Sequence, residues 1–324
     1  MRVARIKGDL GCSAVYHCMS RTVAGEKLLN EACREKMTAI LMSLSAFCGL
    51  EVITYCMMAN HFHLLIRVPA ARELSDGELL QRTEGFYGKK GILSVLAREG
   101  FEKRGRIDLH VRQTLLGRMG DVSVFMKEFK QRFSRWFNQH SDRFGTLWAE
   151  RFKSVLVEDC PKALQTVASY IDLNPVRAGL VEDPKEYRHC GYAAAVCGAN
   201  GQVRRGLMSF LQGRTWTEAS AEYRSGLLLR SAESGHSGKK ALDRETIRKA
   251  FKDGGQLSGA EILRLRIRHM TDGVVLGSKE FVDGVFIRYR QRFGPRRKSG
   301  ARPIRAVPLP GLMALRDLRV DAVG

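Results

Sequence analysis

Asn60-His61-Phe62-His63-Leu64-Leu65-Ile66 reads as the opening of a β-strand whose two faces carry different chemistry. Side chains alternate along a strand, so His61 and His63 project from one face and Phe62 from the other. Phe62 then anchors the core, while the two imidazoles are presented together to one metal ion. A histidine pair on a strand needs a third ligand and a reacting group from elsewhere in the chain.

Outward from that strand, Leu50–Met58 is a second run of β-formers, joined to it by Ala59-Asn60. Ala14–Arg21 (AVYHCMSR) reads as a strand. Asn30–Phe47 has helical apolar spacing through Met37, Ile40, Leu41 and Leu44, closed by Cys48-Gly49. Ser123–Gln139 is the clearest amphipathic helix. Phe125, Phe129, Phe133 and Phe137 recur every four residues, and Lys127, Lys130, Arg132 and Arg135 fill the other sides. Trp148–Val157 returns to strand character, and Pro161 opens a helix that runs through Tyr170 to about Asn174-Pro175. The order β-α-β-β-α-β followed by a helix predicts an α+β fold, a ferredoxin-like antiparallel sheet with helices on one face.

Three regions lie outside that pattern. Residues 70–120 are polar and glycine-containing and read as an insertion over one face within a domain spanning 1–197. Residues 198–240, rich in Gly, Ser and Arg, read as linker-like. Residues 241–324 are expected to form a small, mainly helical, basic C-terminal region and tail. Within it, Gly254-Gly255 separates two helical stretches that suit a helix-turn-helix.

The formal charge of the 324 residues is +20, and the excess is densest in the last third, with 25 Lys/Arg against 12 Asp/Glu over residues 201–324. A polyanion, nucleic acid above all, is the natural partner. No stretch approaches the ~18 apolar residues of a membrane span, and no lipidation motif is present. The eight cysteines are scattered without a CxxC pair, which reads as reduced thiols in a cytoplasmic protein.

The second half of a site lies in Ala168-Ser-Tyr-Ile-Asp-Leu-Asn-Pro-Val-Arg177. Tyr170 and Asn174 are four residues apart, which on a helix sets one above the other. A phenol attacks phosphorus, and an amide oxygen ligates a hard cation. Two histidines and one oxygen leave coordination positions open for a phosphate oxygen, which a metal would polarise. Arg151, Lys153 and Arg177 flank this site as candidate phosphate contacts. His17 on the first strand reads as a core histidine rather than a partner of the metal.

Four stretches, in this order, resemble the HUH-superfamily single-tyrosine transposases, and among them the REP-associated tyrosine transposases. They are Tyr16-His-Cys-Met-Ser-Arg21, Met58-Ala-Asn-His-Phe-His-Leu-Leu-Ile66, Leu147-Trp-Ala-Glu-Arg-Phe-Lys-Ser154 and Tyr170-Ile-Asp-Leu-Asn-Pro-Val-Arg-Ala-Gly179. The resemblance covers roughly residues 10–195. It implies an HUH nuclease domain that cuts single-stranded, hairpin-containing DNA without ATP, through a 5′-phosphotyrosine link that leaves a 3′-OH. His61 and His63 match the metal ligands of that family, Tyr170 its nucleophile and Asn174 its third ligand, with Mg²⁺ or Mn²⁺ as the cofactor. The resemblance leaves the unit as a monomer or a homodimer, cytoplasmic and nucleoid-associated. The excursion over residues 78–120 and the region after about 200 depart from the short members of the family. Two other readings compete: a domesticated, non-catalytic DNA-binding regulator, and a small-molecule metallohydrolase built on the H-x-H pair.

Overall fold

The computed structural model describes residues 5–9, 11–232, 273–304 and 311–316. Its centre is a four-strand antiparallel unit in the order β2-β3-β1-β4, formed by β1 (Ala14–Arg21), β2 (Glu51–Met57), β3 (His61–Val68) and β4 (Lys153–Val157). With α1 (Glu31–Cys48) between β1 and β2, and α5 (Val122–Ser141) before β4, this is the ferredoxin-like arrangement that the element order predicts.

Local chemistry sets the helix ends. Asn30 accepts from the Cys33 amide at 2.9 Å to open α1, and Gly49 closes it in the left-handed region at φ 69°. Asp121 accepts from the Ser123 and Val124 amides to open α5. The four phenylalanines of α5 are buried, and Phe62 meets Phe129 and Trp148 edge-to-face at 5.3 Å each. The Phe62 face of the sheet therefore carries α5, with α1 packed beside it.

The other face is covered as well, which corrects the expectation of helices on one face only. Tyr170 of α6 (Pro161–Asp172) meets the rings of His17 and His63, so α6 lies across the histidine face. A sheet whose central strands are apolar on both sides has to be covered on both sides. Every residue of β1 from Ala14 to Ser20 is buried.

The insertion carries three helices, α2 (Asp76–Tyr87), α3 (Ile92–Arg104) and α4 (Leu109–Leu116). Phe86 stacks on Phe47 of α1 at 4.9 Å, and the Arg132 guanidinium of α5 sits 4.5 Å over the Phe86 ring. The insertion thus thickens the α1/α5 layer, on the side away from the histidines.

Beyond α6 the chain forms α7 (Asn174–Arg177), α8 (Gly191–Val196), α9 (Gly201–Met208) and α10 (Trp216–Ala232). The stretch read as linker-like therefore holds two helices. At Gly206, α9 approaches β2 so closely that a Cβ would lie 2.3 Å from the Val52 carbonyl oxygen.

The C-terminal region was expected to be mainly helical. Among its described residues, β5 (Val275–Gly277), β6 (Arg302–Pro303) and β7 (Met313–Leu315) join α11 (Lys279–Arg288). They extend the sheet to seven strands in the order β2-β3-β1-β4-β5-β7-β6, and β5 runs parallel to β4. The sheet is accordingly mixed. Strands of two or three residues have no periodicity of their own, and β5 takes its backbone bonds from a distant strand. The helix-turn-helix read around Gly254-Gly255 lies outside the described residues.

Candidate active site

Strand register builds the histidine face row by row. Directly paired residues in an antiparallel ladder share a face. One row is Thr54-Leu65-His17-Val155, the next Cys56-His63-Met19-Lys153, and at the strand end Arg21 pairs with His61. His17, His61 and His63 therefore gather on one surface, with ring centroids 5.1 Å apart for His17 and His63 and 5.2 Å for His61 and His63.

Hydrogen bonds orient both candidate ligands. The Asn60 amide nitrogen donates to the Gly25 carbonyl at 2.8 Å, which turns the Asn60 oxygen toward His61. That oxygen lies 2.7 Å from His61 Nδ1 and can only accept, so Nδ1 carries the proton and Nε2 the lone pair. His63 Nδ1 lies 3.0 Å from His17 Nε2. When the proton sits on His63 Nδ1 and His17 accepts it, His63 also presents its lone pair at Nε2. Inward Nδ1 bonds of this kind are how metal-binding imidazoles are held.

Electrostatics keep the imidazoles neutral. Burial lowers His61 to about 4, helped by the charge of Arg21. Burial also lowers His63 well below the usual histidine range, followed by the neighbouring His17, His61, Arg177 and Arg21. A ligand must be neutral, and both are so at physiological pH.

Tyr170 is half-buried and meets the His63 ring at 5.7 Å and the His17 ring at 5.8 Å, edge-on in both cases. Arg177, at the end of α7, places its guanidinium 4.7 Å over the Tyr170 ring. Burial lowers Arg177 from the usual arginine range. Asn174 donates through Nδ2 to the carbonyls of Tyr170 and Ile171 at 2.9 and 3.2 Å. It thus caps the end of α6 as well as following Tyr170 by one turn. Its donor side is committed there, and Oδ1 is the group with ligating capacity.

Of the flanking cations, Lys153 stands on the histidine face, two strands from His63 or roughly 10 Å by strand spacing, and pairs with Glu150 at 3.5 Å. Arg151 is exposed just before β4. The structure therefore brings His61, His63, Tyr170 and Arg177 together and sets Lys153 farther off on the same face; among the described contacts none joins Arg151 to the histidines. Sequence reasoning undervalued His17, which bonds His63, and Arg21, which stands opposite His61. The two-residue spacing of His17, Met19 and Arg21 on one strand face was the available signal. Among the described residues, no cluster of three His, Cys, Asp or Glu side chains forms a metal cage, so any cation here would need an oxygen from outside that set.

Residues 12–80 match the family model described as "Transposase IS200 like". This segment resembles the IS200-like transposases. It contains β1, β2, β3 and both histidines of the H-x-H pair, and the family is one of enzymes that transpose DNA. The resemblance read from the motifs is thereby borne out over that segment. A solved structure of a REP-associated tyrosine transposase bound to a REP hairpin is similar at 13% identity and a TM-score of 0.40, covering 62% of this chain and 90% of that one. No curated protein matches the chain.

Proposed function

We propose that the protein is a metal-dependent, single-strand-specific DNA endonuclease and strand transferase acting through a 5′-phosphotyrosine on hairpin-containing DNA. The observation that carries this reading is a tyrosine held edge-on to a hydrogen-bonded histidine pair, with a guanidinium over its ring.

The donor set fits a divalent cation: two neutral imidazoles with oriented Nε2 lone pairs, and an amide whose donor side is already spent. His61, His63 and Asn174 would hold Mg²⁺ or Mn²⁺, which would supply Lewis-acid polarisation of the scissile phosphate. All three candidate ligands are uncharged, so the phosphodiester itself would supply the compensating negative charge.

The rest falls to side chains of the chain. The Tyr170 oxygen attacks phosphorus, the new P–O bond forms to the phenol, and the bond to the 3′-oxygen breaks. The phenol proton passes to solvent, and the departing 3′-oxygen takes a proton from solvent to end as a hydroxyl. The Arg177 guanidinium stabilises negative charge on the phenol oxygen, both as it attacks and when it departs on rejoining. Because the ester conserves the bond energy, the 3′-hydroxyl of another strand end reverses the step without ATP. Arg21, Arg151 and Lys153 ring the site as phosphate contacts. A second basic surface lies on the sheet extension, where Arg296, Lys298 and Arg302 are exposed around an open cleft of about 750 Å³. The catalytic unit would be a monomer or a homodimer. Its place of action would be chromosomal DNA in the cytoplasm.

Covalent capture tests the reading. Wild type and Tyr170→Phe are incubated with Mn²⁺ and labelled single-stranded DNA from the gene's own flanks, then separated on a denaturing gel. A labelled protein band in wild type, absent in Tyr170→Phe and abolished by chelation, is the expected result. Tight DNA binding without an adduct would favour the regulator, and a band that survives Tyr170→Phe would name a different nucleophile.

A further inference from the structure

The last turn of α6 is gripped on one flank by a buried carboxyl. Asp172 has no solvent exposure, and its two oxygens accept from three other elements. Thr54 Oγ1 of β2 donates to Oδ1 at 2.7 Å, and the Tyr192 amide of α8 reaches the same oxygen at 3.3 Å. The Tyr223 hydroxyl of α10 donates to Oδ2 at 2.6 Å. Two residues along an α-helix are about 200° apart, so Asp172 and Tyr170 leave α6 on opposite sides.

The partners of this carboxyl lead straight to the candidate active site. Thr54 shares its strand row with His17, so the Thr54–Asp172 bond ties α6 to the row that carries the histidine under Tyr170. Tyr223 is fully buried, and its neighbour Arg224 pairs with Asp183 at 2.6 Å, which fastens α10 to the segment following α7. Packing around the knot leaves no slack. A Cβ on Gly191 would lie 2.2 Å from Thr54 Oγ1 and 2.9 Å from the Tyr55 amide nitrogen.

A buried carboxyl is a costly anchor where an apolar side chain would hold a helix as firmly. It differs in direction, since hydrogen bonds to a two-headed acceptor tolerate little rotation or sliding, whereas apolar contacts tolerate both. We infer that Asp172 and Tyr223 are positioning residues for Tyr170: they fix the rotation and height of the last turn of α6 over the histidine face. The helix α10 is then part of the apparatus that delivers the nucleophile. This rests on the reading of Tyr170 as nucleophile, and a displacement of about 1 Å in such a group is enough to cost on the order of a hundredfold in rate.

The test uses the full chain with Tyr223→Phe, Asp172→Ala and Asp172→Asn, the last keeping the planar two-headed shape. Single-turnover adduct formation is followed with Mn²⁺, DNA affinity is measured in chelator, and 3-fluorotyrosine at position 170 reports the ring environment by ¹⁹F NMR. In Tyr223→Phe the rate constant should fall at least tenfold, with affinity within twofold, and the ¹⁹F line should shift or broaden. Asp172→Asn should recover most of the rate that Asp172→Ala loses. A purely structural role would lower the active fraction and the melting temperature but leave the rate constant of the folded molecules and the ¹⁹F line unchanged; that result overturns the inference. Should wild type form no adduct, the nucleophile reading fails on its own, and the ¹⁹F line still decides whether Tyr223 positions the Tyr170 ring.

Discussion

At the scale of single residues, the candidate site depends on which nitrogen of each imidazole carries the proton. Asn60 sets this for His61, because its amide is oriented by Gly25 and its oxygen accepts from Nδ1. Asn60→Ala should therefore weaken Mn²⁺ binding by about 10–100-fold, read by titration calorimetry in the presence of uncleaved DNA. Unchanged affinity would show that the ligand face of His61 needs no such support. A second residue-scale expectation concerns acid. Burial lowers His189 to about 4 from an ordinary 6.5. Between those values the unfolded chain binds a proton that the folded chain refuses, so this group makes stability fall as pH drops from 6.5 toward 4. His189→Gln should flatten the fall of denaturation midpoint across that window, measured by urea titration at several pH values.

At the scale of elements, α5 is the pillar of the sheet face opposite the histidines. Phe129 is fully buried and meets Phe62, the residue between the two candidate ligands. Phe129→Ala should cost about 3–5 kcal/mol of stability by urea denaturation, through lost burial and the cavity left behind. It should also loosen His61 and His63, since the strand that carries them is held from that side. The phenylalanine stripe was plain in the sequence because its spacing of four matches the helical period. The helix α10 was not plain. Its buried residues Ala219, Tyr223 and Leu227 also recur every four, but small and polar residues fill most of the rest, and the stretch reads as linker.

At the scale of the whole molecule, charge and sheet closure carry the expectations. If DNA is held through phosphates by Arg21, Arg151, Lys153 and the 296–302 surface, log Kd should change with log salt at a slope of about 0.7 per phosphate contact. Lys298→Ala should reduce that slope by about one contact, measured by fluorescence anisotropy over a salt series, whereas a slope unaltered by the change would remove this surface from the interface. The sheet extension has a second consequence. Leu156 and Glu158 donate to the carbonyls of Val274 and Leu276, so β5 covers what would otherwise be the open edge of β4. Deleting residues 273–316 should expose that edge and drive self-association, visible by size-exclusion chromatography with light scattering.

Periodicity and short motifs determined much by themselves. Alternation at His61-Phe62-His63 set two imidazoles on one face, spacing of four set the Phe125–Phe137 stripe, and the strand–helix order gave the ferredoxin-like unit. These are local properties, written in neighbouring residues and readable wherever an element repeats its own pattern. What only the tertiary structure decided depends on contacts between distant segments. Helix α6 lies on the sheet face opposite α5, His17 reaches His63, Tyr223 reaches Asp172, and β5 pairs with β4. Each of these joins groups whose local sequence is compatible with several partners. The choice among them is made by which surfaces the packed chain buries together.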